Sequence, residues 1–102
     1  MSTPEPAWVF EAELWSSQSV AAWAFVTVPA DVGEDVGLLS GPPTGFGSVR
    51  VEVTVGASTW RTSVFPDKAR GYVLPVKSAV RRREELEPGD QVTVTLALVT
   101  DE

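Results

Sequence analysis

Cysteine and histidine are both absent from this sequence. Without cysteine the chain has no disulfides and no thiol nucleophile, and without either residue it lacks the usual zinc and transition-metal ligands. Histidine is also the side chain that most often transfers protons near neutral pH. We therefore expect no metal and no cofactor. An enzyme is disfavoured and would require a pocket that raises the pKa of a carboxyl group.

Long hydrophobic runs are missing as well. The most apolar stretch, VAAWAFVTVPA (20–30), is too short to cross a bilayer, and the N-terminus lacks a basic start followed by an apolar segment. The 102 residues fit one domain, 1–102, and a hydrophobic content of 43% supplies enough apolar surface for one core. We predict a single-domain, soluble, cytoplasmic protein.

Positive charge is scarce overall and absent from the first 49 residues. The net charge is −6, and residues 1–49 hold six acids and no base, whereas residues 61–83 hold seven bases and one acid. Such asymmetry can signal a polyanionic partner, but in one compact domain the two halves can also face each other. We favour mutual compensation.

Five segments have the alternation or the β-branched composition of strands. They are WVFEAEL (8–14), VAAWAFVTV (20–28), SVRVEVTVG (48–56), TWRTSVFP (59–66) and QVTVTLAL (91–98). The first two are expected to pair as a hairpin, and the next two as a second hairpin. YVLP (72–75) adds a short extended segment.

Helical propensity is concentrated in VKSAVRRREEL (76–86). Pro75 suits its first turn, because the amide hydrogen that proline lacks would be unbonded there. Pro88 stops the helix, and Pro88–Gly89 favours a type II turn. PADVGEDVGLLSG (29–41) predicts no more than a short helical turn, because its glycines weaken a helix.

A weak internal echo also bears on the architecture. VTVPADVGEDV (26–36) and YVLPVKSAVRR (72–82) align with an offset of 46 residues, each as an extended run, a proline and a possible helical turn. Two such units related by a pseudo-twofold axis would close a barrel within one chain. The sequence thus predicts a mainly all-β fold: a small barrel or split barrel of about six to seven strands, with one short helix near residues 76–86.

The arginine-rich helix offers the first candidate site. Lys77 and Arg81 lie one helical turn apart on the polar side, where together they could bind a carboxylate or phosphate. Glu84 and Glu85 lie beside them and would compete for the same charges. The alternative is a solvated or internally paired face, which is the more ordinary role of such a cluster.

Aromatic residues could complete this site. If Trp60 or Tyr72 lay near Arg61, Lys77 or Arg81, the result would be a pocket with aromatic walls and a cationic base, suited to a small acid. Most of the aromatic side chains are nonetheless expected to fill the barrel. The candidate ligand-binding residues are Arg61, Lys77, Arg81, Trp60 and Tyr72, and no catalytic residue is assigned.

Several motifs in this chain resemble one known family. They are the valine-rich strand, W-x-T-S-x-F-P at 60–66, the Gly71–Tyr72 pair, L-P-V-K-x-x-V-R at 74–81 and G-D-x-V-x-V at 89–94. Together with FEAEL and AWAFVTVP, they make nearly the whole chain similar to the bacterial and archaeal domain of unknown function numbered nineteen-oh-five. The positions that match its pattern are Trp60, Thr62, Ser63, Phe65, Pro66, Tyr72, Pro75, Lys77, Arg81, Gly89 and Asp90.

The resemblance implies a double-split β-barrel, distantly related in fold to the AbrB and MazE regulator domains, and it implies no established role. Our first hypothesis is a monomeric, non-enzymatic binding or accessory module for a small anion or a protein partner. The alternative is an AbrB/MazE-like DNA-binding regulator acting as a dimer. A pI near 4.5 disfavours nucleic acid, because such binders draw affinity from excess lysine and arginine.

Overall fold

A computed structural model describes residues 7–16, 23–39 and 47–99. Seven strands form one antiparallel sheet in the order β1-β7-β4-β5-β6-β3-β2. The elements are β1 (Ala7–Glu13), β2 (Trp15–Ser16), β3 (Ala24–Val28), α1 (Ala30–Leu39), β4 (Val49–Val55), β5 (Ser58–Asp67), β6 (Gly71–Pro75), α2 (Ser78–Glu84) and β7 (Gln91–Leu98). The predicted small, mainly β architecture is confirmed, as is the short helix near 76–86.

The sheet curls into a half-barrel because two stretches of the chain each contribute to two parts of it. Residues 7–16 form β1 and β2, and residues 58–67 form β5. β1 and β2 are consecutive segments separated by Leu14, yet they lie at opposite ends of the strand order. Leu14 is fully buried at this bend, where its N–H donates to the Asp90 carbonyl at 2.9 Å and its carbonyl accepts from the Gly89 N–H at 2.7 Å. In β5, residues 58–64 pair with β4 and residues 65–67 pair with β6.

The core follows the alternation of the strands. Val51, Val53 and Val55 of β4 point inward and are buried, and every second residue of β7 does the same. Phe10 and Leu14, which alternate with Glu11 and Glu13 in the first strand, are also buried. Burial of these side chains at about 25 cal/mol per Å² of apolar area is the main favourable contribution to folding.

The segment after β3 differs most from the prediction. It forms the ten-residue helix α1 rather than a short turn, with Val32 and Val36 buried against the core. Gly33 and Gly37 lie one turn apart beside Tyr72, and a Cβ added to them would lie 3.4 Å from its ring and 3.7 Å from its hydroxyl oxygen respectively. Burial of the two valines offsets the low helix propensity of the glycines, which propensity alone could not anticipate.

Two local predictions were wrong in their partners. β1 pairs along its whole length with β7, so the expected first hairpin is reduced to Trp15 and Ser16 facing Phe25 and Ala24. Pro75 closes β6 opposite Phe25 and does not enter the helix, which begins at Ser78. The start of the second predicted strand, residues 20–22, lies outside the described residues.

The internal echo corresponds to two similar units in the fold. β3 followed by α1 and β6 followed by α2 are both strand–helix units, and β3 pairs antiparallel with β6. Thr27 pairs directly with Val73, the residue that the offset of 46 assigns to it. The pairing therefore has the register expected for a local twofold axis between these two strands.

Charged groups of the two halves do not form ion pairs with each other among the described residues. The ion pair found there joins Arg61 to Glu52, with 3.4 Å between Nε and Oε1. Asp35 accepts a hydrogen bond from Trp8 Nε1 at 3.2 Å, and Glu11 accepts one from the Thr93 hydroxyl at 3.3 Å. Neither helix in the described ranges has the length and hydropathy needed to span a membrane.

Candidate functional site

A cleft opens where β5 separates from β6. The ladder between these strands ends at the pair Phe65–Val73. Before that point β5 pairs with β4, whereas beyond Val73 the other strand continues beside β3 and leads into α2. The Val76 N–H donates to the Ala24 carbonyl at 2.9 Å, which holds the start of α2 against β3. The two walls of the cleft therefore belong to different parts of the curled sheet.

The cleft has a volume of about 480 Å³ and is mostly apolar, with cations at its edge. One wall comes from β5 and the other from β3, the end of β6 and α2. The side chains around it are Trp60, Arg61, Thr62 and Phe65 on the first wall and Trp23, Ala24, Pro75, Val76, Lys77, Ser78 and Arg81 on the second. Within the described part of the chain, this lining includes three cations and no carboxylate.

Four of the five residues predicted to bind a ligand meet in this cleft: Trp60, Arg61, Lys77 and Arg81. Tyr72 does not join them. It is half-buried against the core and lies beside Gly33 and Gly37 of α1.

The three cations have different surroundings. Arg61 forms the ion pair with Glu52 already described. Arg81 donates its Nε–H to the Val76 carbonyl at 3.0 Å, a contact that fixes its side chain along the start of α2. Lys77 is exposed at the N-cap of α2, and no carboxylate of the described residues lies within ion-pair distance of its ammonium.

Neither of the glutamates expected to compete for these cations lines the cleft. The Glu84 carboxylate accepts hydrogen bonds from the Ser58 hydroxyl at 2.7 Å and the Ala57 N–H at 3.2 Å, where β4 turns into β5. Glu85 ends the helix in the left-handed conformation and borders a second depression of about 390 Å³, which shares Ser78 and Arg81 with the cleft. Glu84 is therefore held by other partners, and Glu85 lies on the far side of Arg81 from the cleft lining.

The family model described as "Domain of unknown function (DUF1905)" matches residues 10–96. The chain belongs to this family. No curated protein matches the sequence significantly. Many of the positions that carried the resemblance line the cleft of this DUF1905 domain: Trp60, Thr62, Phe65, Pro75, Lys77 and Arg81.

Sequence reasoning missed four cleft residues with aromatic or polar side chains: Trp23, Thr62, Phe65 and Ser78. Trp23 and Phe65 belong to the aromatic set that was expected mostly to fill the barrel, yet they are 53% and 41% exposed. Phe65 follows the buried Val64 in the alternation of β5, so its exposure was available from the pattern. Trp23 carries no comparable signal, because it lies just before β3 begins.

The polar groups that line the cleft of the DUF1905 domain are of two kinds. Its polar lining consists of lysine and arginine heads and two hydroxyls, and a serine or threonine without a neighbouring base is a poor nucleophile. No group of three or more metal-binding side chains occurs among the residues that the structure describes. What this arrangement can do is hold an anion against an apolar wall.

Proposed function

We propose that this DUF1905 domain is a non-enzymatic binding module whose cleft holds a small organic anion. The observation that carries the proposal is the cleft lining, which among the residues that the structure describes combines three cations and no carboxylate with apolar walls on two sides. A volume of about 480 Å³ lies within the range of roughly 300–1,000 Å³ typical of small-molecule sites. Such sites are mostly apolar and use a few polar groups to orient the ligand.

The net charge of the chain makes this local arrangement informative. A protein with a net charge of −6 repels anions on average, so an anion site requires cations that are concentrated in one place and kept away from acids. Glu84 is held by the β4–β5 turn, and Glu85 lies beyond the helix end. Lys77 is therefore the side chain that we expect to contact the anion most directly.

Amide chemical-shift mapping of the labelled domain tests the proposal. Acetate, benzoate and inorganic phosphate would be titrated separately, and we expect clustered shifts at residues 60–62 and 75–81. Lys77→Gln should weaken binding at least fivefold, because a direct charge contact contributes about 1 kcal/mol or more. Lys68→Gln, an exposed lysine in the β5–β6 turn, is the matched control and should bind as the unaltered protein does.

Two results would contradict the proposal. One is the absence of clustered shifts with all three anions. The other is an equal loss of binding in Lys77→Gln and Lys68→Gln, which would indicate a general charge effect. Fluorescence anisotropy with random duplex DNA at low salt extends the test to polyanions, where we expect no binding because the overall charge is negative.

A further inference from the structure

The walls of the cleft expose more aromatic surface than a site for an inorganic anion needs. Trp23 is 53% exposed and Phe65 is 41% exposed, and Trp60 is half-buried against the core. Trp23 belongs to the β3 side of the cleft, whereas Trp60 and Phe65 belong to the β5 side. A flat ring entering between these walls would meet aromatic side chains on both.

Trp23 is held in place from outside the cleft. Its ring lies 6.0 Å from that of Phe25, and Phe25 stacks on Trp15 with 5.0 Å between ring centroids. Arg70 covers the Trp15 ring, with its guanidinium carbon 4.1 Å from the centroid. This row positions the indole of Trp23 before any ligand arrives, which lowers the entropy cost of binding.

Lys77 is the cleft cation that a single negative charge would compensate. Glu52 already compensates Arg61 at 3.4 Å, and Arg81 is engaged by the Val76 carbonyl and by a further contact. No carboxylate in the described ranges lies within ion-pair distance of the Lys77 ammonium. A monoanion would compensate Lys77, and a dianion would bring a second charge next to an apolar wall, where desolvation is costly.

We infer that the ligand of this cleft is a flat aromatic monocarboxylic acid, with its ring between Trp23 and the Trp60–Phe65 wall and its carboxylate at Lys77. The inference rests on the proposed function and adds the class of ligand. The ring buries apolar surface on both walls, and offset or edge-to-face aromatic contacts add specificity beyond the buried area. The carboxylate accepts a charge-assisted hydrogen bond from the lysine.

The test compares matched probes by amide chemical-shift titration. The probe is 2-naphthoate, with 2-naphthamide as the uncharged analogue, acetate as the carboxylate without a ring, and inorganic phosphate as the anion of higher charge. Trp23→Ala removes an exposed indole and is expected to leave the fold intact. Val9→Ala removes an exposed apolar side chain of β1, outside the cleft lining, and is the matched control.

We expect 2-naphthoate to bind at least tenfold more tightly than acetate, phosphate or 2-naphthamide. Trp23→Ala should weaken 2-naphthoate about tenfold and leave the weak binding of acetate unchanged, because only the ring contact is lost. Val9→Ala should change neither.

Different results would overturn the aromatic acid as ligand and the anion site itself. If acetate or phosphate binds as tightly as 2-naphthoate, or if Trp23→Ala has no effect on 2-naphthoate, the aromatic acid is overturned and the anion site stands. If 2-naphthamide equals 2-naphthoate and Lys77→Gln is without effect, the charge contact is overturned and the proposed function fails with it. Absence of binding by every probe overturns both.

Discussion

Replacing Glu84 with alanine should detach α2 from the turn between β4 and β5. The Glu84 carboxylate accepts hydrogen bonds from the Ser58 hydroxyl at 2.7 Å and from the Ala57 N–H at 3.2 Å. Ser58 is 2% exposed, and its hydroxyl oxygen also accepts a hydrogen bond from Arg83 Nη1 at 3.1 Å. One carboxylate therefore connects the last turn of α2 to a turn that lies 26 residues earlier in the chain.

The expected cost follows from these two bonds. Hydrogen bonds to a charged group contribute about 1.5–3 kcal/mol when buried, and less where water can replace the partner. Both Glu84 and the Ala57 amide are accessible to solvent, so we assign about 1 kcal/mol to each bond. Glu84→Ala should lower the free energy of unfolding by about 2 kcal/mol, which for a domain of this size lowers Tm by roughly 10 °C.

Urea and thermal unfolding followed by tryptophan fluorescence measure this loss. Glu84→Gln keeps an acceptor oxygen and should lose less than half as much as Glu84→Ala. Glu87→Ala removes an exposed glutamate that makes no side-chain contact within the described residues, and it should change stability by less than about 0.5 kcal/mol. Equal stability of the Glu84→Ala and Glu87→Ala proteins would refute the claim that this carboxylate anchors the helix.

Three further predictions concern the backbone and the core. Gly56→Ala should lower the free energy of unfolding by about 2–3 kcal/mol, because φ is +59° and the new Cβ would overlap the Glu84 carboxylate. In a Glu84→Ala background the loss measured by urea unfolding should fall to about 1 kcal/mol, and an unchanged loss would contradict the overlap. Glu85→Gly should stabilise the domain by about 0.5 kcal/mol, since Glu85 ends α2 with φ of 57°; a lower Tm than the unaltered protein would count against it. Leu14→Ala should cost about 3–4 kcal/mol in urea unfolding, because Leu14 is fully buried at the bend between β1 and β2; a loss below 1.5 kcal/mol would show that the bend tolerates a cavity.

The strands and their inward faces could be predicted because alternation is a local property. Val51, Val53 and Val55 alternate with polar residues in the sequence, and the same valines are buried in the structure. The end of α2 was predictable for a similar reason. Gly89 has φ of +101° after Pro88, and Asp90 N–H donates to the Glu87 carbonyl at 3.0 Å, which is the hydrogen bond of the expected turn.

Strand partners were harder to predict, because they depend on contacts between distant parts of the chain. β1 and β7 are separated by most of the sequence, yet they pair over seven residues from Ala7–Ala97 to Glu13–Gln91. Nothing in either segment distinguishes this partner from the neighbouring strand β3, because both would bury the same alternating face. The length of α1 was predicted wrongly for a related reason. Val32 and Val36 are buried against strands that the local sequence does not identify.

In the candidate site the cations were predictable from the sequence, whereas the cleft that contains them was not. Arg61, Lys77 and Arg81 could be selected from the sequence as the cations of one site, and β5 together with α2 and its N-cap brings them to one cleft. The cleft itself exists because the pairing of β5 with β6 stops at Phe65–Val73. The alternation of apolar and polar residues is the same whether or not a strand has a partner, so the sequence does not show where the pairing stops. Two strands that continued to pair would have placed Arg61 and Pro75 on adjacent strands of a closed sheet, with no space between their side chains for a ligand. The proposed binding site is thus a consequence of where two strands separate, and its chemistry is a consequence of the residues that the sequence places at that separation.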